Sequence, residues 1–434
     1  MTAILLAAAV VVRAQVAPPP SATAPQLFID QSLIQYREGV DLVMHPAQNR
    51  TLGPVLRPQM PWEARGLSMG GSVMREPGGG PLRMWYTAHA ETDRICHAVS
   101  SDGLDWRRSP LGQPQLASHG EGTSIVLEGA RFPGVLRDEG DPEPARRYKM
   151  ICRPAGSAGR CLTFASADGL RWEPAGVLDV PGTGPLSVTG GTGEGFVAFA
   201  SADDRLYRLS SLDFAAWTAP EAVDLSDAPA GIGLWRVGRA LFGLPWWGGA
   251  SGRVDLLTGG PTLWREPGFD PSPWSPGAGE DGWDATLLGL AGAPVRCGGS
   301  LLWYYSAATT GTRGAIGVVG WREEGLVSAR GGHRPGVLLT TSLVVAGDRL
   351  EINAFAPGGV RVQVENDRGQ ALAGLSSEDC VPFSGDSLCH PVQWAAGGDL
   401  SRLRGHSVRL LFTLYEADLF SFRFARAEGA PGVR

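Results

Sequence analysis

The stretch Ser100-Ser101-Asp102-Gly103-Leu104-Asp105-Trp106 returns as Ser166-Ala167-Asp168-Gly169-Leu170-Arg171-Trp172 and again as Ser211-Leu212-Asp213-Phe214-Ala215-Ala216-Trp217. A worn fourth copy is Thr258-Gly259-Gly260-Pro261-Thr262-Leu263-Trp264. Six residues before the serine of the first three copies stands an arginine: Arg94, Arg160 and Arg205. In each box the serine and aspartate can bond the N–H groups of a tight turn, glycine can supply a positive φ, and tryptophan folds back as an apolar plug. Upstream lie the apolar, aromatic runs Leu82 to Tyr86, Tyr148 to Cys152, Phe196 to Phe199 and Leu241 to Trp246. A fifth run, Leu301 to Tyr305, is followed by Ala315 to Trp321 and an ending without a box. From Asp102 to Asp168, Asp213 and Gly260 the steps are 66, 45 and 47 residues. That is the size of a four-stranded propeller blade, with an insertion between the first two. The chain is therefore expected to be all-β, with a five-bladed β-propeller over residues 26–334, and the boxes are structural turns on its outside.

Composition agrees. The 61 glycines and 33 prolines exceed a fifth of the 434 residues, which disfavours long helices and favours short strands joined by turns. With 43% apolar residues a large core is available, and global disorder is excluded. A net charge of −6 and a pI near 5.7 exclude a nucleic-acid binder. Lys149 is the single lysine among 38 basic residues, an arginine bias spread along the whole chain and without functional weight.

Residues 335–427 change character. Val337 to Val345, Leu350 to Phe355, Val360 to Glu365, Pro391 to Trp394, Val408 to Tyr415 and Phe420 to Phe424 are short β runs at sandwich-like spacing, with Asn366-Asp367-Arg368-Gly369 as a turn. We expect a C-terminal β-sandwich covering a face of the propeller, then a tail over 428–434. At the other end, Ala3 to Val12 is small and apolar, Val12-Arg13-Ala14 offers a peptidase site, and Gln15 to Pro25 is a proline-rich leader. Residues 1–25 read as an export signal and leader, hence a secreted or periplasmic protein; no apolar run is long enough to span a bilayer. Six cysteines form no C-x-x-C, and no H-E-x-x-H occurs, so neither a metal nor another cofactor is expected. Cys152 with Cys161, and Cys380 with Cys389, are open as disulfide pairs.

Further pieces point to a family: Leu27-Phe28-Ile29-Asp30, His45-Pro46, Pro61-Trp62-Glu63, Met84-Trp85-Tyr86, the run Asp141-Pro142-Glu143-Pro144-Ala145-Arg146-Arg147-Tyr148-Lys149-Met150, Gly282-Trp283-Asp284, Ser377-Glu378-Asp379-Cys380 and Gly385-Asp386-Ser387. With the boxes and the order of domains, the chain resembles the invertase, levanase and arabinanase superfamily of glycoside hydrolases. More closely, it resembles a group of bacterial proteins described as glycosyl hydrolase family 32 N-terminal-domain-like. The resemblance implies a propeller whose axial pocket acts on a glycan through acidic residues of the early blades. The signatures that carry those acids, W-x-N-D-P-N-G, R-D-P and E-C, are absent: Arg137-Asp138 is followed by Glu139, and no Glu-Cys pair exists.

In a propeller the innermost strand of each blade lines the axis, so carboxylates at the start of those strands converge. They are Glu63 before blade one, Glu121 before blade two, Asp227 before blade four, and Glu280, Asp281 and Asp284 before blade five; Asp30 lies on a strand that could close the ring. Glycosidic cleavage needs one protonated and one ionised carboxyl. Glu63 with Asp284 is the expected catalytic pair, with Asp281 and Glu121 as helpers. Asp30, Asp227, Trp62, Trp235 and Trp283 are expected to bind substrate, the tryptophans by stacking on sugar faces. Asp284 should face the axial channel, within reach of an arginine or an acid of blade one, and Leu287 to Leu290 should be a strand buried on both sides. Three functions stay open: a glycoside hydrolase cleaving O-glycosyl bonds, a non-catalytic carbohydrate-binding propeller, or a protein-interaction scaffold if the axial channel is plugged and apolar. The first two take an oligo- or polysaccharide as partner, and the chain is expected to act as a monomer.

Overall fold

A computed structural model describes residues 23–29, 31–111, 123–190, 195–202, 205–225, 227–238, 240–250, 252–260, 263–265, 274 and 282–426. Each apolar run found in the sequence becomes the second strand of an antiparallel blade built on a path of four strands, beginning with an innermost strand before it; blades one, four and five carry one further short strand beside that path. Blade one is Gly66–Arg75, Leu82–His89, Arg94–Ser100 and Arg107–Arg108; blade two is Ala130–Arg137, Tyr148–Pro154, Arg160–Ser166 and Glu173–Asp179. Blade three is Leu186–Gly190, Phe196–Ala202, Arg205–Ser211 and Glu221–Val223; blade four is Gly231–Val237, Ala240–Trp247, Leu257–Gly260 and Leu263–Arg265. Blade five runs Thr286–Leu290, Ser300–Ala308 and Ala315–Arg322, and takes its outermost strand, Gln48–Asn49, from the N-terminal segment. The innermost strands start at one end of the axis, called here the head face, and finish at the foot face. There their ends enclose a cavity of about 560 Å³ lined by Arg75, Arg137, Gly190, Trp235 and Arg296.

The boxes have one geometry. In each, the serine Oγ accepts the N–H three residues on, at 2.8 Å, and the aspartate Oδ1 accepts the N–H groups two and three residues on, at 2.8 and 2.9 Å. They are structural turns, as expected, and they also staple neighbouring blades. Tyr304 of blade five donates its hydroxyl to Gly103 O at 2.7 Å, and Trp85 of blade one donates Nε1 to Gly169 O at 2.8 Å. Gly103, at φ 82°, lies so close that a Cβ there would stand 2.7 Å from the Tyr304 hydroxyl. In the third box Phe214 adopts φ 65° and packs edge-on against Phe196 and Trp217 instead.

The second domain is a ten-stranded antiparallel sheet that bends on itself into two layers. The runs expected as two strands, Leu350 to Phe355 and Val360 to Glu365, are one strand, Arg349–Glu365, bent through Ala356 to Gly359. Its first half pairs with Ala417–Ala425 and its second with Ser407–Tyr415. Phe28, Trp394, Phe412, Phe422 and Phe424 fill the space between the layers. The boundary expected at 334 also shifts, because Gln26–Leu27, Ile34–Glu38, Val40–Met44 and Val327–Gly331 all belong to this sheet. The ring is therefore closed by Gln48–Asn49, while the segment before Asp30 pairs with Ala417–Ala425. The sheet sits beside the edge of blade five, not over a face of the propeller: Arg322 donates to Asn353 Oδ1 and Asp386 Oδ1 at 2.6 Å each, and Trp321 Nε1 to His45 O at 3.0 Å. All six cysteines are free. Cys152 pairs in register with Leu162, which puts Cys161 on the opposite face of blade two and forbids a bridge between them.

Candidate functional site

The residues expected to act together are distributed over different sites. Glu63 closes a short 3-10 turn, Pro61–Glu63, that tucks its carboxylate under blade one. It has no exposed surface and accepts five hydrogen bonds. The donors are the N–H groups of Gln59 and Met60, the hydroxyl of Tyr86 at 2.8 Å, and two nitrogens of Arg108 at 2.8 and 2.6 Å. Burial, with Cys96 and the Glu63 charge beside it, holds the Tyr86 hydroxyl well above its usual range, so Tyr86 stays a donor. A carboxylate so saturated and sealed is a structural clamp, and it meets no substrate in this arrangement.

Asp284 lies at the head end of the seam between blades four and five. The segment before the strand is a turn: Ala285 N–H donates to Gly282 O at 3.2 Å, and residues 283–285 turn. The carboxylate is buried and accepts from the Tyr305 hydroxyl at 2.7 Å, a partner from its own blade and neither an arginine nor an acid of blade one. Burial first, then the hydrogen bond and charge of Asp284, push the Tyr305 hydroxyl far up and keep it protonated. Tyr305 is itself clasped by two indoles, Trp283 stacked at 5.6 Å and 25°, Trp274 at 4.5 Å. Gly317 makes room, since a Cβ there would come within 2.7 Å of the Trp283 ring. The strand that follows is not buried on both sides, because Leu288 is 41% exposed.

A second polar and aromatic group adjoins this one. Gly249, in the hairpin after Ala240–Trp247, bridges to Leu287 through two N–H to O bonds of 3.1 Å. On that hairpin the Arg253 guanidinium lies 4.0 Å from the Trp247 ring and reaches Asp255 at 3.1 Å and Asp227 at 3.3 Å. Asp227 is thus an exposed ion-pair partner on the rim. Trp62 is buried on the rim of blade one, beside a groove with Arg65, Glu91 and Arg94. Trp235 is buried at the foot face against Phe242, at the far end of the axis from Trp283, and the two cannot serve one ligand. Asp30, Glu121, Glu280 and Asp281 lie outside the described residues. Sequence reasoning missed Tyr305, Trp247 and Arg253, which sit inside ordinary blade strands and a hairpin and come to the head face only through the pairing of blades. Among the described residues no group of three or more His, Cys, Asp or Glu side chains is gathered to hold a metal ion, and no helix is long and apolar enough to cross a membrane.

No family model matches the chain, and no curated protein does. Among solved structures it is similar to the exo-inulinase of Aspergillus awamori, at 10% identity and a TM-score of 0.42 over 86% of this chain and 99% of that one. It is similar to a fructofuranosidase from Schwanniomyces occidentalis, at 8% identity and 0.42 over 86% and 96%. A glycoside hydrolase family 43 arabinoxylan arabinofuranohydrolase from Bacillus subtilis, solved with cellotetraose, gives 11% and 0.41 over 88% and 99%. The likeness is to five-bladed glycoside hydrolases. At these identities it is one of architecture and carries no family assignment and no residue role.

Proposed function

We propose that the chain binds an oligo- or polysaccharide at the head end of the seam between blades four and five, and that it does so without cleaving it. The observation that carries this reading is Asp284, held by the Tyr305 hydroxyl beside the partly exposed indole of Trp283. An aromatic face next to an aimed acceptor is what a sugar ring needs: apolar C–H groups lie on the indole, and hydroxyls donate to the carboxylate. Trp247, Arg253 and Asp227 extend the same rim with one more aromatic ring and charges of both signs. Cleavage would need two carboxyls facing one bond about 5–9.5 Å apart. Glu63, the expected partner of Asp284, is instead neutralised by Arg108 inside blade one.

The test is a glycan panel presented to the purified chain, with binding read by calorimetry and products by chromatography. Binding of a glycan class, weakened about tenfold in Trp283→Ala by loss of the stacking face, with no new reducing ends, is the expected result. Products that disappear in Asp284→Asn would make the protein a hydrolase. Affinity unchanged in Trp283→Ala would overturn the placement of the site.

A further inference from the structure

On the head side of blade one, facing blade two, three residue types stand in an order that the glycan site does not use. Ser68 is on the innermost strand, His89 ends the second strand, and Asp93 stands in the hairpin that follows. Ser68 Oγ is 2.8 Å from His89 Nε2, and His89 Nδ1 is 2.7 Å from Asp93 Oδ1. The hydrogen bond from His89 holds Asp93 below the usual carboxylate range against the cost of its partial burial, helped by the charges of His89, Arg131 and Arg65. An ionised Asp93 can only accept, so the His89 proton sits on Nδ1, and in the neutral ring Nε2 is left to accept from the serine hydroxyl. That is the proton order of an activated serine.

The same three residue types meet elsewhere with the opposite order. Ser328 Oγ lies 2.6 Å from Asp418 Oδ1, and His45 Nε2 lies 2.8 Å from the same Oγ. There the hydroxyl proton goes to the carboxylate, the imidazole donates, and the serine is wholly buried. Ser68 keeps 7% of its surface exposed, which admits only a slender reactant.

Two features beside Ser68 suit the same chemistry. The innermost strands of blades one and two both break register there, between Ser68 and Ser72 and between Arg131 and Gly134. Such bulges re-aim side chains. Phe132, in the second break, holds φ 57°, a costly conformation for a bulky residue, and its N–H is taken by Thr87 Oγ1 at 2.9 Å. Arg131 next to it reaches Asp93 at 3.8 Å, while its buried Nε has no partner among the described residues, a cationic donor left over beside the relay.

We propose that Ser68, His89 and Asp93 form a serine acyl-transfer site that hydrolyses small acyl esters, with Arg131 stabilising the developing oxyanion. Ser68 Oγ bonds to the ester carbonyl carbon as its proton passes to His89 Nε2. The ester C–O bond then breaks and the alcohol leaves with that proton. Water repeats the sequence on the acyl-serine, giving its proton to Nε2 and releasing the acid as Ser68 recovers its hydrogen. No group beyond ester and water is consumed. The site is on other blades than the glycan rim, and its fate is independent of that reading.

The experiment treats the full chain with a fluorophosphonate probe and maps the adduct by peptide mass spectrometry, alongside hydrolysis of p-nitrophenyl acetate. A single adduct on Ser68, with turnover lost in Ser68→Ala and lowered at least a hundredfold in His89→Gln, is the expected result. The wild-type peptide map decides even where a variant fails to fold. An unlabelled protein, an adduct on another serine, or turnover retained in a folded Ser68→Ala would overturn the proposal.

Discussion

Glu63 shows how a residue can be placed correctly along the chain and misread in space. Its position just before the innermost strand of blade one was legible, and so was its charge. The turn of Pro61–Glu63 then carries the carboxylate inward, onto two backbone N–H groups, a tyrosine and a bidentate arginine. Removing one charge of such a pair leaves the other buried without compensation, a loss of about 3–5 kcal/mol. Glu63→Gln should therefore lower the urea midpoint sharply, since Arg108 keeps only 14% of its side chain exposed. The folded fraction of that variant should bind glycan as the parent does. A variant of parental stability that had lost a glycan-dependent activity would restore the catalytic reading of Glu63. For Asp284 the place along the chain, just before the innermost strand of blade five, was legible, but its partner, Tyr305, was not, because the two are 21 residues apart and meet only through the hairpin of blade five.

At the level of elements, the boxes were the most legible feature, because every bond that defines them is local. Ser, Asp and Trp act within seven residues, so sequence alone contains the whole turn. What the boxes touch was not legible. Trp106 packs edge-on against Tyr304 at 5.4 Å and donates Nε1 to Gly103 O at 3.0 Å, fastening blade one onto blade five. Deleting that ring leaves a cavity worth about 3–5 kcal/mol, and Asp102→Ala removes turn bonds worth about 1 kcal/mol. Thermal unfolding of Trp106→Ala and Asp102→Ala should show those two unequal losses, with glycan affinity unchanged in the folded protein. Selective loss of binding in a folded Asp102→Ala variant would contradict a purely structural box. The short strand Gln48–Asn49 is a contrasting element: two polar residues carry no β periodicity, and only the open edge of blade five makes them a strand.

The whole molecule is held together by exchange between its ends. The N-terminal segment supplies the outer strand of blade five and three strands of the second domain, and Val327–Gly331 leaves the propeller to pair with Val40–Met44 and Ala417–Ala425. Cutting the chain after Gly331 would strip partners from all of these and uncover Phe28, Val40 and Ala329, which are buried in the second core. Exposed apolar surface of that extent drives association. The truncated chain should give little soluble protein and elute as aggregate in size-exclusion chromatography. A monodisperse, soluble propeller from it would show that the two domains fold independently.

What depends on neighbours in the chain could be read from sequence: all-β architecture from turn residues, blade size from the spacing of the boxes, blade number from the boxes together with the fifth apolar run, and a second β domain from short β runs. Tertiary structure alone decided which side chains meet. Ring closure brings Gln48–Asn49 to residues some 270 positions away, and blade packing seals Glu63 while leaving Trp283 on the rim. Strand register places Ser68, His89 and Asp93 in one hydrogen-bonded line, though nothing in their spacing marks them. The physical reason is that turns and strand periodicity are written in a few successive residues, whereas a site is a coincidence of segments whose distances are set by closure, register and burial.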